Sequence, residues 1–352
     1  MNIKRFQYIL ALLAFLFTIS ACDDGPDNPD IYQSEGVFVL SEGNFGWNNA
    51  SLSLYNPDSA QVQNNLFYLA NGAPLGDVAQ SMTIHDNQAY IAVNGSGKVY
   101  VIDPETYLFT GKITGLSSPR YIAISGNGKG YISDLYAPEI VVFSPDSLKI
   151  LHRINLHHSS EQLLVVDDYL FAASWSYDSL LFKIDSETDE VIDSLVVGFQ
   201  PNSMQLDANG KIWLLCDGGY PGIPGGKQYP CLTQVDPESM SILRQLRFSS
   251  LESSPVELQK NPAGDSLFYL DHGLFGFGIE ENNLPLEPRI AANEHTWYAL
   301  GVDPQNGEFY LGDAVSYVQP GYCYRYSSDY QLIDSFMVGI NPGFFCFPVL
   351  QP

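Results

Sequence analysis

The chain has 352 residues, of which 16 are Lys or Arg and 40 are Asp or Glu, so its formal net charge at pH 7 is −24. This acidity makes nucleic acid an unsuitable partner, because the phosphate backbone would repel the protein. Beyond the N-terminal segment, no long stretch has helical apolar spacing.

The first 21 residues have the layout of a secretory signal. Basic residues precede an apolar run from Tyr8 to Phe17, which is too short to span a bilayer as a permanent helix. Small residues then lead into Cys22, as a lipoprotein signal peptidase requires. We therefore expect removal of residues 1–21 and lipidation of Cys22. The alternative is an ordinary signal peptide followed by a coincidental cysteine.

Residues 22–34 are acidic and rich in Pro, Gly and Asn, with no periodic apolar pattern. This composition predicts a flexible tether. An acidic stretch after a lipidated cysteine also resembles the export signal that sends lipoproteins of Bacteroidetes to the outer face of the outer membrane. The alternative is a plain solvated linker. Residues 35–352 are then the folded domain.

A turn motif recurs about every forty residues through the folded domain. Asp103, Ser144 and Asp185 follow runs rich in apolar residues, begin tetrads such as Asp-Pro-Glu-Thr, and are 41 residues apart. Further copies begin at Asn56 and, after a Gly/Pro-rich insertion, at Asp236. Because Pro presets φ and Asp or Asn can bond the backbone two residues on, each tetrad predicts a β-turn between antiparallel strands.

Short β-branched and aromatic runs precede these turns, and each repeat has room for four strands. Six such units run from about residue 78 to 339, and their length is that of a propeller blade. Residues 36–68 and 342–347 supply a seventh blade from both ends, which removes exposed sheet edges. The predicted fold class is therefore all-β, a seven-bladed β-propeller. A two-sheet sandwich and an open solenoid are the alternatives.

Cys216 and Cys231 flank the Gly/Pro-rich insertion, between two strand-like runs. An antiparallel strand pair would hold them within disulfide reach in an oxidising compartment, so we predict a disulfide between them. Cys323 and Cys346 have no such local partner. No two cysteines have the C-x-x-C spacing of a zinc knuckle or a redox dithiol.

Catalytic motifs are absent from the sequence. There is no H-E-x-x-H, G-x-S-x-G, phosphate loop or dinucleotide fingerprint. His157-His158 is the only histidine pair, and we expect it in a solvated loop and not at a metal ion. With 40 acidic residues, spacing alone assigns no acid-base pair. We therefore expect a binding protein without catalytic residues, metal or catalytic cofactor.

One face of the predicted ring collects the loops between second and third strands and the connections into each first strand. Three of the four tryptophans fall there with tyrosines and amides, a composition typical of binding surfaces, whereas Trp213 lies inside a strand and is expected in the core. The alternative role of such aromatics is to seal blades against each other. The candidate ligand-binding residues are Trp47, Asn94, Arg120, Tyr121, Tyr136, Trp175, Tyr177, Asn202, Tyr220, Trp297, Tyr298 and Tyr317.

Residues 41–46 (Ser-Glu-Gly-Asn-Phe-Gly) and 70–81 resemble the YncE-like propeller lipoproteins of Bacteroidetes, with shorter matches at 118–121, 134–138 and 200–203. One branch of that family binds cobalamin at the cell surface and caps the outer-membrane cobalamin transporter. The resemblance implies a lipid-anchored outer-membrane protein that faces the cell exterior. Its ligand would be a large amphipathic nutrient, with cobalamin or another corrinoid as the leading candidate, and its partner a TonB-dependent transporter that receives the nutrient.

Two other functions are compatible with the same sequence. Lactonase propellers share this repeat, so a metal-dependent hydrolase of lactones or sugars is one alternative, with Glu161, Glu257 and Asn202 as ligands of a divalent metal. A surface adhesion or scaffold module is the other.

Overall fold

The computed structural model describes residues 36–348, whose 28 strands form seven four-stranded antiparallel sheets arranged in a ring. This is the seven-bladed β-propeller that the repeat predicts. The expected signal peptide (1–21), the lipidated Cys22 and the tether (22–34) lie outside the described residues. Within residues 36–348, no helix has the length and apolar character needed to cross a membrane.

The chain begins in the blade that closes the ring, with strands β1 (Val37–Ser41), β2 (Ser51–Asn56) and β3 (Gln61–Gln63), followed by the short helix α1 (Leu66–Asn71). Blades 1 and 2 follow in order. Blade 1 contains β4 (Ala79–His85), β5 (Gln88–Val93), a 3-10 turn (Asn94–Ser96), β6 (Lys98–Ile102) and β7 (Phe109–Thr114). Blade 2 contains β8 (Pro119–Ile124), β9 (Gly130–Asp134), β10 (Glu139–Ser144) and β11 (Lys149–Asn155).

Blades 3 to 6 repeat the same order of strands from the axis outward. Blade 3 contains β12 (Leu163–Val166), β13 (Tyr169–Ala173), β14 (Leu180–Asp185) and β15 (Glu190–Val196). Blade 4 contains β16 (Pro201–Leu206), β17 (Ile212–Cys216), β18 (Cys231–Asp236) and β19 (Ser241–Arg247). Blade 5 contains β20 (Val256–Lys260), β21 (Ser266–Leu270), β22 (Gly273–Gly278) and β23 (Ile290–Ala291). Blade 6 contains β24 (Trp297–Val302), β25 (Phe309–Asp313), β26 (Pro320–Tyr326) and β27 (Leu332–Ile340).

The seventh blade joins the two ends of the described chain. Its innermost strand, β28 (Pro342–Cys346), pairs antiparallel with β1, so that Phe38 lies opposite Cys346. The strand order β28-β1-β2-β3 is the split blade expected from residues 36–68 and 342–347. Hydrogen bonds between the two ends of the chain therefore close the ring.

The core consists of seven apolar clusters, one at each interface between neighbouring blades. Middle strands such as β10 are buried, whereas the fourth strand β15 is almost entirely exposed. This difference explains why middle strands have continuous apolar sequences and outer strands do not. Trp213 is fully buried, and its Nε1 donates to Asp207 at 2.8 Å, which confirms its predicted place in the core.

The recurring tetrads form the predicted turns. Oδ1 of Asp103 accepts hydrogen bonds from the backbone N–H groups of Glu105 and Thr106, at 2.9 and 2.8 Å. Asp185 and Asp236 repeat the pattern in blades 3 and 4. One carboxylate thus satisfies two backbone donors in each turn, as expected for Asp at its first position.

Acidic residues at the ends of second strands hold the loops that lead into the first strands. The buried carboxylate of Asp134 accepts hydrogen bonds from four backbone N–H groups, two before β8 and two after Asp134 itself, at 2.9–3.0 Å. Asp313 plays the same part in blade 6, where it accepts from Thr296 and Val315. These carboxylates fix the backbone on the face where the axial loops converge.

Candidate ligand site at the ring axis

Six of the seven first strands are irregular where they begin, because one or two residues there have no partner on the second strand. Such β-bulges redirect side chains. In blade 3, Glu161 occupies the matching position just before β12. Each blade therefore brings one residue to the axis, and these seven axial residues are Gln80, Arg120, Glu161, Asn202, Glu257, Tyr298 and Gly343.

The axial residues line a cavity of about 430 Å³. This volume lies within the range of small-molecule sites. Further side chains complete a wall that combines aromatic rings with carboxylates, namely Glu42, Val78, Tyr121, Trp175, Asp217, Val256, Trp297 and Tyr317.

Arg120 is the only basic side chain among the residues that line this cavity, and each of its three guanidinium nitrogens makes a hydrogen bond. Its Nε lies 3.0 and 2.9 Å from the two carboxylate oxygens of Glu161, its Nη2 donates to Glu161 at 2.6 Å, and its Nη1 donates to Gln80. Burial alone would lower the pKa of Arg120, but the Glu161 carboxylate raises it above the ordinary value. The guanidinium therefore stays charged and holds Glu161 in place.

Glu42 reaches the cavity across Gly343. A Cβ atom at Gly343 would lie 2.8 Å from Oε1 of Glu42, so glycine leaves the space that the carboxyl group occupies. The hydroxyl of Tyr298 donates to Oε2 of Glu42 at 2.9 Å. Burial raises the pKa of Glu42, and the Tyr298 hydrogen bond only partly opposes this effect.

Glu257 lies in the bulge of β20, with a left-handed backbone at φ 61°. Burial, followed by the nearby Glu42 and Glu161 carboxylates, raises its pKa from 4.5 to about 8. At neutral pH the group is therefore mostly protonated and can donate a hydrogen bond. The cavity thus contains both a carboxylate acceptor and a carboxylic acid donor.

Aromatic rings form the upper wall of the cavity. The indole Nε1 of Trp175 donates to Asp217 at 2.8 Å, which fixes this ring from the neighbouring blade. Tyr298 and Tyr317 pack edge to face with ring centres 5.8 Å apart. Trp297 stacks on His295 at 4.3 Å. These contacts hold the rings in place before any ligand arrives.

Tyr121 forms the floor of the cavity. It packs against Phe344 with ring centres 6.4 Å apart, and it also lines a second cavity of about 450 Å³ on its other side. Burial raises the pKa of Tyr121 well above its ordinary value, so its hydroxyl remains protonated. The two rings therefore divide the axial channel into two compartments.

Comparison with known families assigns residues 35–247 to the family described as "Domain of unknown function (DUF5074)". The match covers more than half of the chain. The chain belongs to this family. Four axial residues, from Gln80 to Asn202, lie within the matched segment, whereas Glu257, Tyr298 and Gly343 follow it. The sequence matches no curated protein.

Three solved structures share the fold of this chain at low sequence identity. A quinonprotein alcohol dehydrogenase-like protein from Bacteroides thetaiotaomicron is 13% identical, with a TM-score of 0.70 over 89% of this chain and 78% of that chain. Hydrazine synthase of Kuenenia stuttgartiensis is 12% identical, with a TM-score of 0.61 over 75% and 88%. The dihydro-heme d1 dehydrogenase NirN is 9% identical, with a TM-score of 0.61 over 92% and 78%. Similarity at these identities shows the propeller fold alone.

The axial cavity brings together seven of the twelve residues that the sequence proposed for ligand binding: Arg120, Tyr121, Trp175, Asn202, Trp297, Tyr298 and Tyr317. The other five lie outside it. Trp47 and Tyr136 are 77% and 79% exposed on surface loops. Tyr177 and Tyr220 share a hydrogen bond of 3.1 Å between their hydroxyls. Asn94 donates to Ser118 at 2.7 Å and thereby holds the loop before β8.

Sequence reasoning did not select Glu42, Gln80 or Asp217 as ligand-binding residues. Gln80 occupies the axial position of blade 1, so the repeat itself could have identified it. Glu42 follows β1 and reaches the axis only because glycine occupies position 343 in the distant β28. No local pattern around Glu42 could have indicated this contact.

The carboxylates suspected as metal ligands are arranged differently from a metal site. Within residues 36–348, no three His, Cys, Asp or Glu side chains are grouped to hold a metal ion. Both oxygens of Glu161 face Arg120, and the Asn202 Nδ2 donates to the carbonyl of Pro255 at 2.9 Å.

Cys216 and Cys231 lie directly opposite each other, at the end of β17 and the start of β18. Both are buried free thiols in this structure. Residues opposite each other in an antiparallel pair have the Cα separation that a disulfide requires, so the bond stays a prediction. Cys323 and Cys346 are also free.

Proposed function

We propose that the protein is a ligand-binding propeller that captures an amphipathic organic molecule at the ring axis. The observation that carries this proposal is the convergence of one residue from each blade on a single cavity with aromatic and carboxylate walls. Aromatic rings that the protein already holds in place offer a ligand apolar surface, and little conformational entropy is lost when the ligand binds. The carboxylate of Glu161 and the acid of Glu257 offer an acceptor and a donor that orient the ligand.

A corrinoid is the leading candidate ligand. It carries amide groups around a broad apolar ring, and these amides can pair with the carboxylates and with Asn202 while the ring contacts Trp175 and Tyr317. A whole corrinoid is larger than 430 Å³, so it would place one edge in the cavity and lie across the mouth.

Titration with cyanocobalamin tests the candidate directly, with the visible spectrum of the ligand and the tryptophan fluorescence of the protein as signals. We expect saturable changes at micromolar concentrations. Replacing Trp175 with Ala should weaken binding roughly thirtyfold, equivalent to the ~2 kcal/mol of a hot-spot aromatic, whereas Trp47→Ala, on the same face but outside the cavity, should have a much smaller effect. Unchanged signals with micromolar protein and ligand would exclude a corrinoid.

The proposal includes anchoring through Cys22 at the outer membrane, on the cell exterior, and transfer of the ligand to a TonB-dependent transporter. Phe45, Trp47 and Tyr136 lie on the face that carries the cavity and are 77–81% exposed. Exposed aromatic side chains of this kind are suited to contact with a protein partner. Purification from detergent-solubilised membranes should retain the transporter with the native protein and lose it with the Trp47→Ala/Tyr136→Ala double variant. Recovery of equal amounts with both proteins would assign the contact to another surface.

A further inference from the structure

The second compartment of the axial channel lies on the far side of Tyr121 and Phe344 and has a volume of about 450 Å³. Pro262 and Pro304 line it from the turns that follow β20 and β24. These turns lie on the face of the ring opposite the candidate ligand site. A ligand can therefore enter this compartment without passing through the upper cavity.

The two compartments differ in charge. Four acidic side chains and one arginine line the upper cavity. The described residues that line the second compartment include no Asp or Glu, and Lys260 is their only charged member. Asp303, which lies between two of these lining residues, accepts the backbone N–H of Gln305 at 2.8 Å within its own turn. In a chain with 40 acidic residues, a cavity whose only charge is positive favours an anion.

Three side chains from blades 3 and 5 offer hydrogen-bond donors that no residue between 36 and 348 accepts. Oε1 of Gln162 accepts a backbone N–H of β16, which leaves its Nε2 without a partner. Oε1 of Gln259 accepts from Gln205 at 3.4 Å, which leaves its Nε2 in the same state. Nζ of Lys260 donates to the carbonyl of Leu206 at 2.8 Å, forms no ion pair within the described residues and has two further hydrogens.

The facing wall is apolar and comes from blades 6 and 7. Phe344 and Phe345 line it from β28, Phe347 follows that strand, and Val302 and Pro304 line it from the end of β24 and the turn after it. The compartment therefore has donors on one side and aromatic and aliphatic groups on the other. Such an arrangement suits an amphipathic anion.

We propose that this compartment is a second binding site, which takes a small organic carboxylate with an apolar body. The carboxylate accepts hydrogen bonds from Lys260 and from the amide groups of Gln162 and Gln259. Hydrogen bonds between an ammonium and a carboxylate are stronger than those between neutral groups. The apolar body packs against Phe344 and Phe347. The volume of this compartment lies within the range of small-molecule sites.

2-Naphthoate is a suitable probe, because it joins a flat apolar ring system to a carboxylate and its own fluorescence reports binding. 2-Naphthamide has the same ring system without the charge and is the matched control ligand. We expect saturable binding of the carboxylate and roughly tenfold weaker binding of the amide, because hydrogen bonds to charged groups contribute more than neutral ones.

Variants of the donor wall locate the bound probe. Lys260→Gln should weaken naphthoate binding roughly tenfold and Gln259→Leu about threefold. Lys260→Arg keeps the positive charge and should retain most of the affinity. Lys112→Gln, which removes an exposed lysine from β7, should leave binding unchanged.

Melting temperatures of the same variants separate binding from folding. Gln259→Leu loses only the long contact with Gln205 and should melt with the wild type, so it decides the matter together with naphthamide if Lys260→Gln proves unstable. Weaker naphthoate binding at unchanged stability supports the site. Absence of saturable binding, equal affinities for naphthoate and naphthamide, or a loss of binding caused by Trp175→Ala in the upper cavity and not by the donor-wall variants would overturn the proposal.

Discussion

Replacing Glu257 with glutamine should make the protein more stable at alkaline pH and leave its stability unchanged near pH 4.5. The folded-state pKa of Glu257 is raised to about 8 from an ordinary value of 4.5. The protonated group therefore favours the folded state fully below pH 4.5, and this contribution is lost as the pH rises through 8. Glutamine is neutral at every pH and has nearly the shape of the protonated acid.

The pKa shift of Glu257 sets the size of the expected change in stability. One pKa unit corresponds to roughly 1.4 kcal/mol, so the full shift would amount to at most about 5 kcal/mol. Glu257 is partly exposed, and solvent screens its interaction with neighbouring charges. We therefore expect Glu257→Gln to raise the free energy of unfolding by ~2 kcal/mol at pH 9, which is roughly 3 °C in melting temperature for a domain of this size.

Thermal unfolding at pH 4.5, 7 and 9 measures the difference between Glu257→Gln and the wild type, and other titrating groups cancel because both proteins contain them. Glu105→Gln, which changes an exposed turn residue, is the matched control and should follow the wild type at each pH. A constant difference between Glu257→Gln and the wild type across this range would refute the reasoning.

Three further predictions concern other parts of the molecule. Trp175→Ala should strongly reduce ligand affinity and lower the melting temperature only slightly. The opposite result, a large loss of stability with little loss of affinity, would show that this ring seals two blades against each other. Trp47→Ala should change neither property strongly. Asp134→Ala leaves four backbone N–H groups without their acceptor, so denaturant unfolding should show a loss of about 3 kcal/mol. If Cys216 and Cys231 form a disulfide in the oxidised protein, the bond should raise the free energy of unfolding by roughly 3 kcal/mol in the chain-entropy model. Mass mapping of the non-reduced protein that finds both thiols free would refute this bond.

The number of blades and their boundaries follow from the sequence because each blade uses the same local devices. The turn motifs at Asp103 and Asp185, with buried runs before them, recur at a fixed spacing, and each hairpin forms between neighbouring segments. The split seventh blade is predictable for the same reason, since both of its halves match parts of the repeat.

The composition of the site is only partly predictable. Strand order indicates on which face of the ring a loop lies, but it does not indicate how far from the axis its side chains reach. Trp47 and Trp175 both occupy loops between second and third strands, yet only Trp175 is held towards the cavity, by Asp217 from the next blade. Glu42 depends in turn on the absence of a side chain at Gly343. Such contacts join distant segments and leave no periodic signal.

The pairing of β28 with β1 has a consequence for the order of folding. Blades 1 to 6 consist of consecutive hairpins and can form as soon as each has been synthesised, but Phe38 cannot pair with Cys346 until almost the whole chain exists. Contacts between such distant residues form slowly, because the entropy of the intervening loop must be lost first. Until then β1 presents an unpaired edge that another chain could occupy. A nascent or truncated chain that ends before residue 342 should therefore associate edge to edge, even when its six complete blades are already folded.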